Sequence, residues 1–358
     1  SGNGGTGMST CIASAMRYAV DEGADIINAS IEAGGKSSLL EEVINYAYSK
    51  GCVSIVASGN ENLDANYFNP ANAASAIVIG ASDKNDKRSS FSNYDPKVDI
   101  IAPGKDILSL LASNSNYSQN YSGDIVGNNY LKISGTSMAT PYAAGVTALI
   151  LAQHPTYNPD QIRYVLRNST DDVENEGWDA ESGYGRINAY KAASFSKNPP
   201  RLYAAISSPA VSCGAPNNSY NKRKITIKGT ARGEDFNNYR LEYAKYTKGS
   251  KLIFNALSSY SAPITDNTLG TFDSSSITNG VYFLRLTVSD SAGLVIHSTV
   301  RVVIDSTLKS GWPKLVKKWN AYPAEGRDNI SEDNSLTFAD LDNDGYKEVI
   351  TINDNKLY

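Results

Sequence analysis

Residues 135–141 read GTSMATP and lead into an apolar segment, Met138 to Gln153. This segment is apolar almost all round, which is typical of a helix buried inside a large domain. Gly135 permits a sharp turn into the helix, and the alanines that follow permit close packing. Ser137 would then lie at the helix N-terminus, whose positive dipole end favours developing negative charge. A serine at this position is often only a helix N-cap. On this stretch alone, Ser137 could therefore be either a nucleophile or a capping residue.

The sequence on both sides of this helix alternates between helical and extended patterns. Further helices are predicted at 8–22, 37–50 and 159–167, the last capped by Asn158. Buried parallel strands are predicted from short apolar runs at 25–31, 52–57 and 76–81. This rhythm predicts an α/β domain over residues 1–195, with a parallel sheet flanked by helices.

The string around Ser137 is very similar to the nucleophile motif of the subtilisin-like (S8) serine peptidases. Other landmarks of that family occur in the expected order: VASGN at 56–60, SFSNY at 90–94, APG at 102–104 and GYGRINA at 183–189. The resemblance covers residues 1 to about 195 and implies a partial subtilisin-like domain. It implies an endopeptidase that forms an acyl-enzyme on Ser137, with the Asn60 amide donating to the oxyanion.

The resemblance also implies a substrate-binding set, made up of Ser30, Ile31, Glu32, Ala57, Ser58, Gly59 and Thr136. Glu32 departs from the family, which usually has glycine in the wall of the main specificity pocket. One hypothesis is that Glu32 favours a basic or small side chain before the cleaved bond. The alternative is that Glu32 points to solvent and the alignment shifts by one residue, because Gly34 and Gly35 follow.

Serine needs a base to become a good nucleophile, and the family's base is a histidine oriented by an aspartate. The chain has two histidines, His154 and His297, and neither has the flanking residues of that base. The chain starts at Ser1 within a glycine-rich stretch, so we expect the catalytic histidine and aspartate upstream of it. Residues 1–358 alone are therefore expected to have negligible peptidase activity. We also expect residues 1–195 to expose apolar surface.

Beyond residue 195 the pattern changes. Residues 196–201 read as a linker, and residues 202–306 have the period of two that predicts an all-β sandwich. Within Val281–Asp290, alternate residues starting from Tyr282 are apolar, while Arg285, Thr287 and Ser289 share the other face. The segment resembles Ig-like or fibronectin-like domains, for which spacing, surface attachment and substrate binding all remain open.

Residues 311–358 carry an acidic loop that can converge on a hard cation. Its expected calcium ligands are Asp340, Asp342, Asp344, Glu348 and the carbonyl of Tyr346. An EF-hand is excluded, because its twelfth position would be Thr351 instead of glutamate. The loop looks like that of FG-GAP/VCBS propeller repeats, with structural Ca²⁺, and a single such repeat predicts a truncated β-propeller. A simple acidic hairpin turn is the alternative.

Composition narrows the range of partners. Lys+Arg number 33 against 37 Asp+Glu, which argues against nucleic acid, and the longest apolar stretch is too short for a transmembrane helix. The three cysteines form neither a disulfide framework nor a zinc motif. We expect a secreted protein, extracellular or attached to the cell surface through its C-terminal domains, that acts on proteins or peptides. The alternative is an extracellular binding or adhesion protein with a non-catalytic protease-like domain.

Overall fold

The computed structural model describes residues 8–35, 37–112, 124–209, 219–247 and 250–307, and the short strands at 337–339, 348–350, 352–353 and 356–357. Within these described residues, the N-terminal part contains five α-helices: α1 Ser9–Asp21, α2 Ser38–Ser49, α3 Thr136–Gln153, α4 Pro159–Asn168 and α5 Ala189–Ala193, with a 3-10 helix at Ala65–Tyr67. Its strands are β1 Ile26–Ala29, β2 Ala33–Gly34, β3 Val53–Ala57, β4 Phe68–Asn69, β5 Ile77–Ser82, β6 Ile100–Pro103, β7 Ile107–Leu110, β8 Ile125–Val126 and β9 Tyr130–Ile133.

A four-stranded parallel sheet, in the order β1-β3-β5-β6, forms the centre of this part. All five residues of β3 are buried, as expected for a strand covered on both faces. Alternate residues contribute to two cores, with Val56 and Val78 packing beside α1 and α2. Ile55 and Ile79 pack on the opposite side, against α3 and α4. The predicted α/β architecture with a helix-flanked parallel sheet is confirmed.

Local capping explains where two of these helices begin. The Ser37 hydroxyl accepts a hydrogen bond from the Leu40 N–H at 3.3 Å at the start of α2. At the start of α4, Asn158 and Gln161 form a reciprocal capping box, and Pro159 occupies the first turn. The predicted cap at Asn158 is therefore confirmed.

Helix α3 differs from its prediction in two respects. It is buried on one side only, through residues such as Ala139 and Ala143, while Tyr142 and Leu149 on the other side are 46% and 50% exposed. Gly135 precedes the helix with φ of 161°, an extended conformation open to any residue, so a special turn at Gly135 is not what starts the helix.

The β-rich part that follows consists of two sheets packed face to face. Its strands are β10 Leu202–Ser208, β11 Ser219–Tyr220, β12 Lys224–Gly233, β13 Phe236–Lys245, β14 Asn255–Tyr260, β15 Ile264–Asp273, β16 Gly280–Asp290 and β17 Val295–Ile304. One sheet has the order β10-β12-β15 and the other β11-β17-β16-β13-β14. Residues from both sheets, including Leu241, Leu284 and Phe272, form its core. We refer to residues 202–304 as the β-sandwich.

Strand β16 shows why a pattern of alternation can be misleading. The predicted inward residues, such as Leu284 and Leu286, are fully buried. The other face is buried as well, because Phe283 is 0% and Thr287 is 2% exposed. Phe283 packs edge-to-face on Trp178 of the α/β part, with ring centroids 5.4 Å apart. The second face of β16 is thus covered by the other half of the molecule.

The strands described beyond residue 307 form two antiparallel pairs, β18 Thr337–Ala339 with β19 Glu348–Ile350 and β20 Ile352–Asn353 with β21 Lys356–Leu357. The predicted calcium ligands at 340, 342, 344 and 346 lie outside the described residues, as does the side chain of Glu348. The propeller therefore stays a prediction. Within the described part of the chain, no helix is long and apolar enough to cross a membrane.

Candidate active site

Ser137 lies in the first turn of α3 and is half-buried. Its hydroxyl donates to the main-chain carbonyl of Ser30 at 3.2 Å, and the Ser30 hydroxyl donates to the Ser137 carbonyl at 2.9 Å. Pro141 explains the second bond, because it has no N–H to donate to the carbonyl four residues earlier. The Ser137 carbonyl is thereby left for Ser30, which joins α3 to the segment after β1.

Asn60 follows β3 and contacts the residue next to Ser137. Its Oδ1 accepts hydrogen bonds from the Thr136 N–H at 2.8 Å and from the Thr136 hydroxyl at 3.2 Å. The Gly59 N–H in turn donates to the Thr136 hydroxyl at 3.2 Å. Because Oδ1 accepts both hydrogen bonds from Thr136, the orientation of the Asn60 amide is fixed. Nδ2 is then the atom that can donate to another group. The Asn60 side chain is therefore held against Thr136, the residue that precedes Ser137.

Gly59 is required where it lies. Its φ is +106°, and a Cβ there would come within 2.1 Å of Asn93 Nδ2 and 2.6 Å of Glu32 Oε2. Both the conformation and the space exclude a side chain. The backbone turn that presents Asn60 therefore depends on this glycine.

Two carboxylates lie against Asn60. Glu32 Oε1 accepts from Asn60 Nδ2 at 3.2 Å, and Glu61 Oε2 accepts from the Asn60 N–H at 2.9 Å. Burial is the largest cause that raises the pKa of Glu32 to about 7, and the charge of Glu61 and a hydrogen bond with Glu61 contribute to the same rise. Glu32 as a whole is exposed to solvent, but its carboxylate is hydrogen-bonded to Asn60.

Two residues of this site were not predicted from the sequence as functional. Glu61 directly follows Asn60 but lies in no family landmark, and Asn93 belongs to a landmark that indicates only scaffold. Asn93 Nδ2 donates to Glu61 Oε2 at 2.9 Å and to the Ser58 carbonyl at 3.0 Å. Its Oδ1 accepts from the N–H groups of Glu61 and Leu63. A buried asparagine that uses both ends of its amide in this way organises the surrounding loop.

The remaining predicted substrate-binding residues differ in accessibility. Ser30 and Ile31 are half-buried on the segment that follows β1. Ala57, Ser58 and Thr136 have exposed fractions of 1% or less, so they line the site from below its surface. The structure thus brings the segments carrying these residues together around Ser137 and Asn60.

The two histidines have surroundings of their own in the structure. His154 caps the opposite end of α3, and 17 residues of helix at 1.5 Å per residue separate them by roughly 25 Å. His154 stacks on Tyr157 there, with centroids 4.5 Å apart. His297 lies in the β-sandwich, where burial followed by the charges of Arg285 and Arg167 lowers its pKa to about 3. His297 is therefore neutral at physiological pH.

The polar groups at this site are a hydroxyl, an amide and carboxylates. The described residues contain no group of three or more His, Cys, Asp or Glu side chains arranged to hold a metal ion. The groups that could act on a substrate here are therefore the Ser137 hydroxyl, the Asn60 amide and the carboxylates of Glu32 and Glu61.

The N-terminal half of the chain matches a known family. The Subtilase family model (Peptidase S8) matches residues 1–185, and the chain belongs to this family. It is 39% identical over 191 residues to a thermophilic serine proteinase from Bacillus sp. (strain AK1), covering 53% of this chain and 43% of that protein. It is 37% identical over 196 residues to thermitase from Thermoactinomyces vulgaris, covering 54% and 62% of the two chains. The chain thus spans about half the length of such relatives.

Solved structures are similar over about half of the chain. A protease from Pseudoalteromonas arctica PAMC 21717 is 29% identical, with a TM-score of 0.47 over 52% of this chain and 59% of that chain. A cold-adapted subtilisin-like serine proteinase is also 29% identical, with a TM-score of 0.44 over 52% and 63%.

Proposed function

We propose that this chain carries the nucleophile and the oxyanion-binding amide of a serine endopeptidase. The observation that supports this most is the fixed Asn60 amide, bonded to Thr136 directly beside Ser137. In the reaction, Ser137 Oγ would bond to the substrate carbonyl carbon as its proton passes to a base. The carbonyl oxygen becomes an oxyanion, which Asn60 Nδ2 can receive. Breaking of the C–N bond releases the amine and leaves an ester on Ser137, which water hydrolyses.

We propose that the base is a group other than the two histidines of this chain. His154 lies at the opposite end of α3 from Ser137, and His297 is buried in the β-sandwich. Without a base the hydroxyl stays a weak nucleophile, and loss of this function in relatives costs about 10⁶ in kcat. We therefore propose that residues 1–358 alone have negligible peptidase activity. A form of the protein that supplies a histidine and its orienting aspartate would be active.

An organophosphorus active-site probe tests this proposal. The isolated chain should be labelled no faster than its Ser137→Ala variant, while any longer active form should be labelled at Ser137. Rapid labelling of the isolated chain would contradict the missing base. Absence of labelling in every longer form that contains a candidate histidine would favour the alternative, a binding or adhesion protein with a non-catalytic domain.

We further propose that Glu32 and Glu61 select a basic side chain in the residue that contributes the cleaved carbonyl. Both carboxylates contact Asn60, so they lie next to the proposed position of that carbonyl. In the described part of the chain, no lysine or arginine forms an ion pair with either of them. A substrate ammonium or guanidinium could replace the proton that the raised pKa of Glu32 retains near neutral pH.

Peptides that differ only in lysine or norleucine at this position test the charge preference without hydrolysis. The wild-type chain should bind the lysine peptide roughly tenfold more tightly, because charged hydrogen bonds are stronger than neutral ones. Glu32→Gln should lose most of the preference, whereas Glu22→Gln, at the exposed end of α1, should keep it. Tighter binding of the norleucine peptide by wild type would refute the proposal.

Secretion and calcium binding also remain proposals. Membership in the subtilase family supports an extracellular location and peptide or protein substrates. A Ca²⁺ ion bound by the proposed ligands at 340–348 would have a structural role, and we propose no catalytic metal. We keep residues 196–201 as a linker between a peptidase domain at 1–195 and a sandwich domain at 202–306, followed by the repeat at 311–358. Cell-surface attachment through the C-terminal domains is part of the same proposal.

A further inference from the structure

The β-sandwich packs on the α/β part through specific polar and aromatic contacts. Arg167 of α4 donates to the main-chain carbonyl of His297 in β17 at 3.2 Å. The hydroxyl of Tyr246 donates to Glu181 at 3.4 Å, and Trp178 packs on Phe283. These contacts join the five-stranded sheet, and Tyr246 just after β13, to α4 and to a loop of the α/β part.

Arg301 of the β-sandwich contacts two aspartates that lie close in sequence to residues of the candidate active site. From β17 of the β-sandwich, its Nε lies 3.3 Å from Asp95 Oδ2, and its Nη1 lies 3.9 Å from Asp64 Oδ2. The Arg301 side chain is 20% exposed, and both aspartate side chains are 4% exposed. One guanidinium thus bridges two buried carboxylates of the other half of the molecule.

Asp64 and Asp95 lie at one end of two chain segments that run side by side and contain residues of the candidate active site. Segments 59–65 and 91–95 are joined by main-chain hydrogen bonds from Asn93 N to Gly59 O, Asn62 N to Phe91 O, Tyr94 N to Leu63 O and Ala65 N to Tyr94 O. The amide of Asn93 adds its own bonds to Glu61 and Leu63. Asn60 and Glu61 lie toward one end of this ladder, and Asp64 and Asp95 lie at the other. We call residues 59–65 and 91–95 the paired segments.

Two carboxylates buried side by side repel each other unless a cation is near. Burial raises the pKa of both Asp64 and Asp95, their mutual charge raises that of Asp95 further, and Arg301 opposes the shift at each. Lys97 also acts on Asp64, whereas Glu181 adds repulsion at Asp95. Of the charges acting on Asp95, Arg301 is the one that stabilises its ionised form.

We propose that Arg301 is a positioning residue for the candidate active site. By joining Asp64 to Asp95, it holds the base of the paired segments and so fixes the loop that presents Asn60 and Glu61. The β-sandwich is then a built-in support for the catalytic loop, beyond any role as a spacer. This inference rests on the proposed function of Asn60, but its structural core can be tested without hydrolysis.

Amide hydrogen exchange on the 358-residue chain tests the proposal. Arg301→Met removes the charge and keeps most of the side-chain length, so amides in the paired segments should exchange at least about tenfold faster. Amides of β16, in the centre of the five-stranded sheet, should change by less than about twofold. Arg301→Lys keeps a charge but loses the planar fork, and should restore protection in part. Unchanged exchange in the paired segments would overturn the proposal.

A matched control separates local positioning from general stability. Arg240→Met removes another arginine of the β-sandwich, one that is paired with Glu242 and far in sequence from the interface contact. It should leave the paired segments unaffected. If Arg301→Met instead accelerates exchange equally in every element, Arg301 is a global stabiliser and the positioning role is wrong. If Arg301→Met does not fold, Arg301→Lys provides the milder test, because loss of the planar fork should still accelerate exchange in the paired segments to a smaller extent, and unchanged exchange there would overturn the proposal.

A kinetic measurement distinguishes this inference from the peptidase proposal. In a hydrolytically active form, Arg301→Met should lower kcat roughly tenfold and change KM by less than about threefold, because a displaced Asn60 weakens oxyanion binding. Locally faster exchange in a protein that never hydrolyses peptides would leave the positioning role intact and refute the peptidase function. An unchanged kcat despite faster exchange would show that the paired segments do not control Asn60.

Discussion

At the scale of single residues, the site depends on one amide whose two ends have different partners. Oδ1 of Asn60 is bound by Thr136, which leaves Nδ2 as the donor of this amide. In the structure Nδ2 donates to Glu32. A reacting carbonyl would therefore compete with the Glu32 carboxylate for this donor, and protonation of Glu32 would weaken the competitor.

Replacing Asn60 should remove most of the oxyanion stabilisation. In a hydrolytically active form, Asn60→Ala is expected to lower kcat by about 10² to 10³, a range measured on the relative subtilisin, with little change in KM. Asn60→Asp serves as the matched control, because it keeps the shape but has no N–H to donate. A loss of less than about threefold in both variants would show that Asn60 is not the donor.

The raised pKa of Glu32 predicts a pH-dependent penalty in folding. Its pKa is about 7 in the folded chain against an ordinary value of 4.5, so the folded state holds the proton more tightly. The contribution of this proton to folding stability is complete below pH 4.5 and is lost as the pH rises to about 7. Glu32→Gln should then gain relative stability over this interval, by no more than about 1 kcal/mol because the residue is largely exposed.

Urea unfolding of wild type and Glu32→Gln between about pH 4 and about pH 8 measures this difference. The gap between the two proteins should open with rising pH and stay constant above about 7. Glu22→Gln, which changes an exposed glutamate at the end of α1, is the matched control. A gap that closes as the pH rises would contradict the shift.

At the scale of elements, close approach between β6 and α3 sets the position of the nucleophile. Gly104 directly follows β6, and its carbonyl accepts from the Gly135 N–H at 2.8 Å. A Cβ on Gly104 would lie 2.5 Å from Ala81 Cβ and 2.9 Å from the Gly135 carbonyl oxygen. The sheet therefore touches the start of the helix through a residue with no side chain.

Two glycine substitutions should have opposite effects on stability. Gly104→Ala is expected to cost about 1–3 kcal/mol, because the backbone around Gly135 must shift to make room. Gly145→Ala, in the exposed interior of α3 with nothing within 4 Å of its Cβ, should gain about 0.5–1 kcal/mol. Urea unfolding of both variants checks the signs, and a stabilised Gly104→Ala would refute the packing argument.

At the scale of the whole molecule, the two halves share buried contacts instead of being joined only by a flexible connection. Trp178 packs on Phe283 and tilts toward Phe254, with centroids 5.4 and 6.5 Å apart. Together with Arg301 and Arg167, it links the β-sandwich to loops of the α/β part. Contacts of this kind couple the unfolding of neighbouring units.

Removing Trp178 should therefore loosen the coupling between the halves. Trp178→Ala is expected to cost about 2–3 kcal/mol, somewhat less than a fully buried tryptophan because it is half-buried. Calorimetry should show one cooperative transition for the wild type and two for the variant. Tyr190→Ala, at a side chain 82% exposed, is the control and should leave the transition unchanged. Identical melting of all three proteins would argue against a coupled interface.

The sequence by itself determined the α/β class and the principal helices and strands, because these depend on local periodicity and capping residues. The joint role of Ser137 and Asn60 stays a prediction from long motifs. Helix α4 shows this well, since Asn158 and Gln161 define its start within four residues. Glu61 and Asn93 carry no comparable local signal, because their roles come from a loop-to-loop contact.

Only the tertiary structure decided which surfaces are covered. The second face of β16 reads as polar, yet Phe283 and Thr287 are buried against the other half of the molecule. Arg301 likewise looks like an ordinary strand residue until Asp64 and Asp95, more than 200 positions earlier, come within ion-pair distance. Periodicity reports only the environment that a segment creates for itself, whereas burial and charge pairing between distant segments depend on how the whole chain packs.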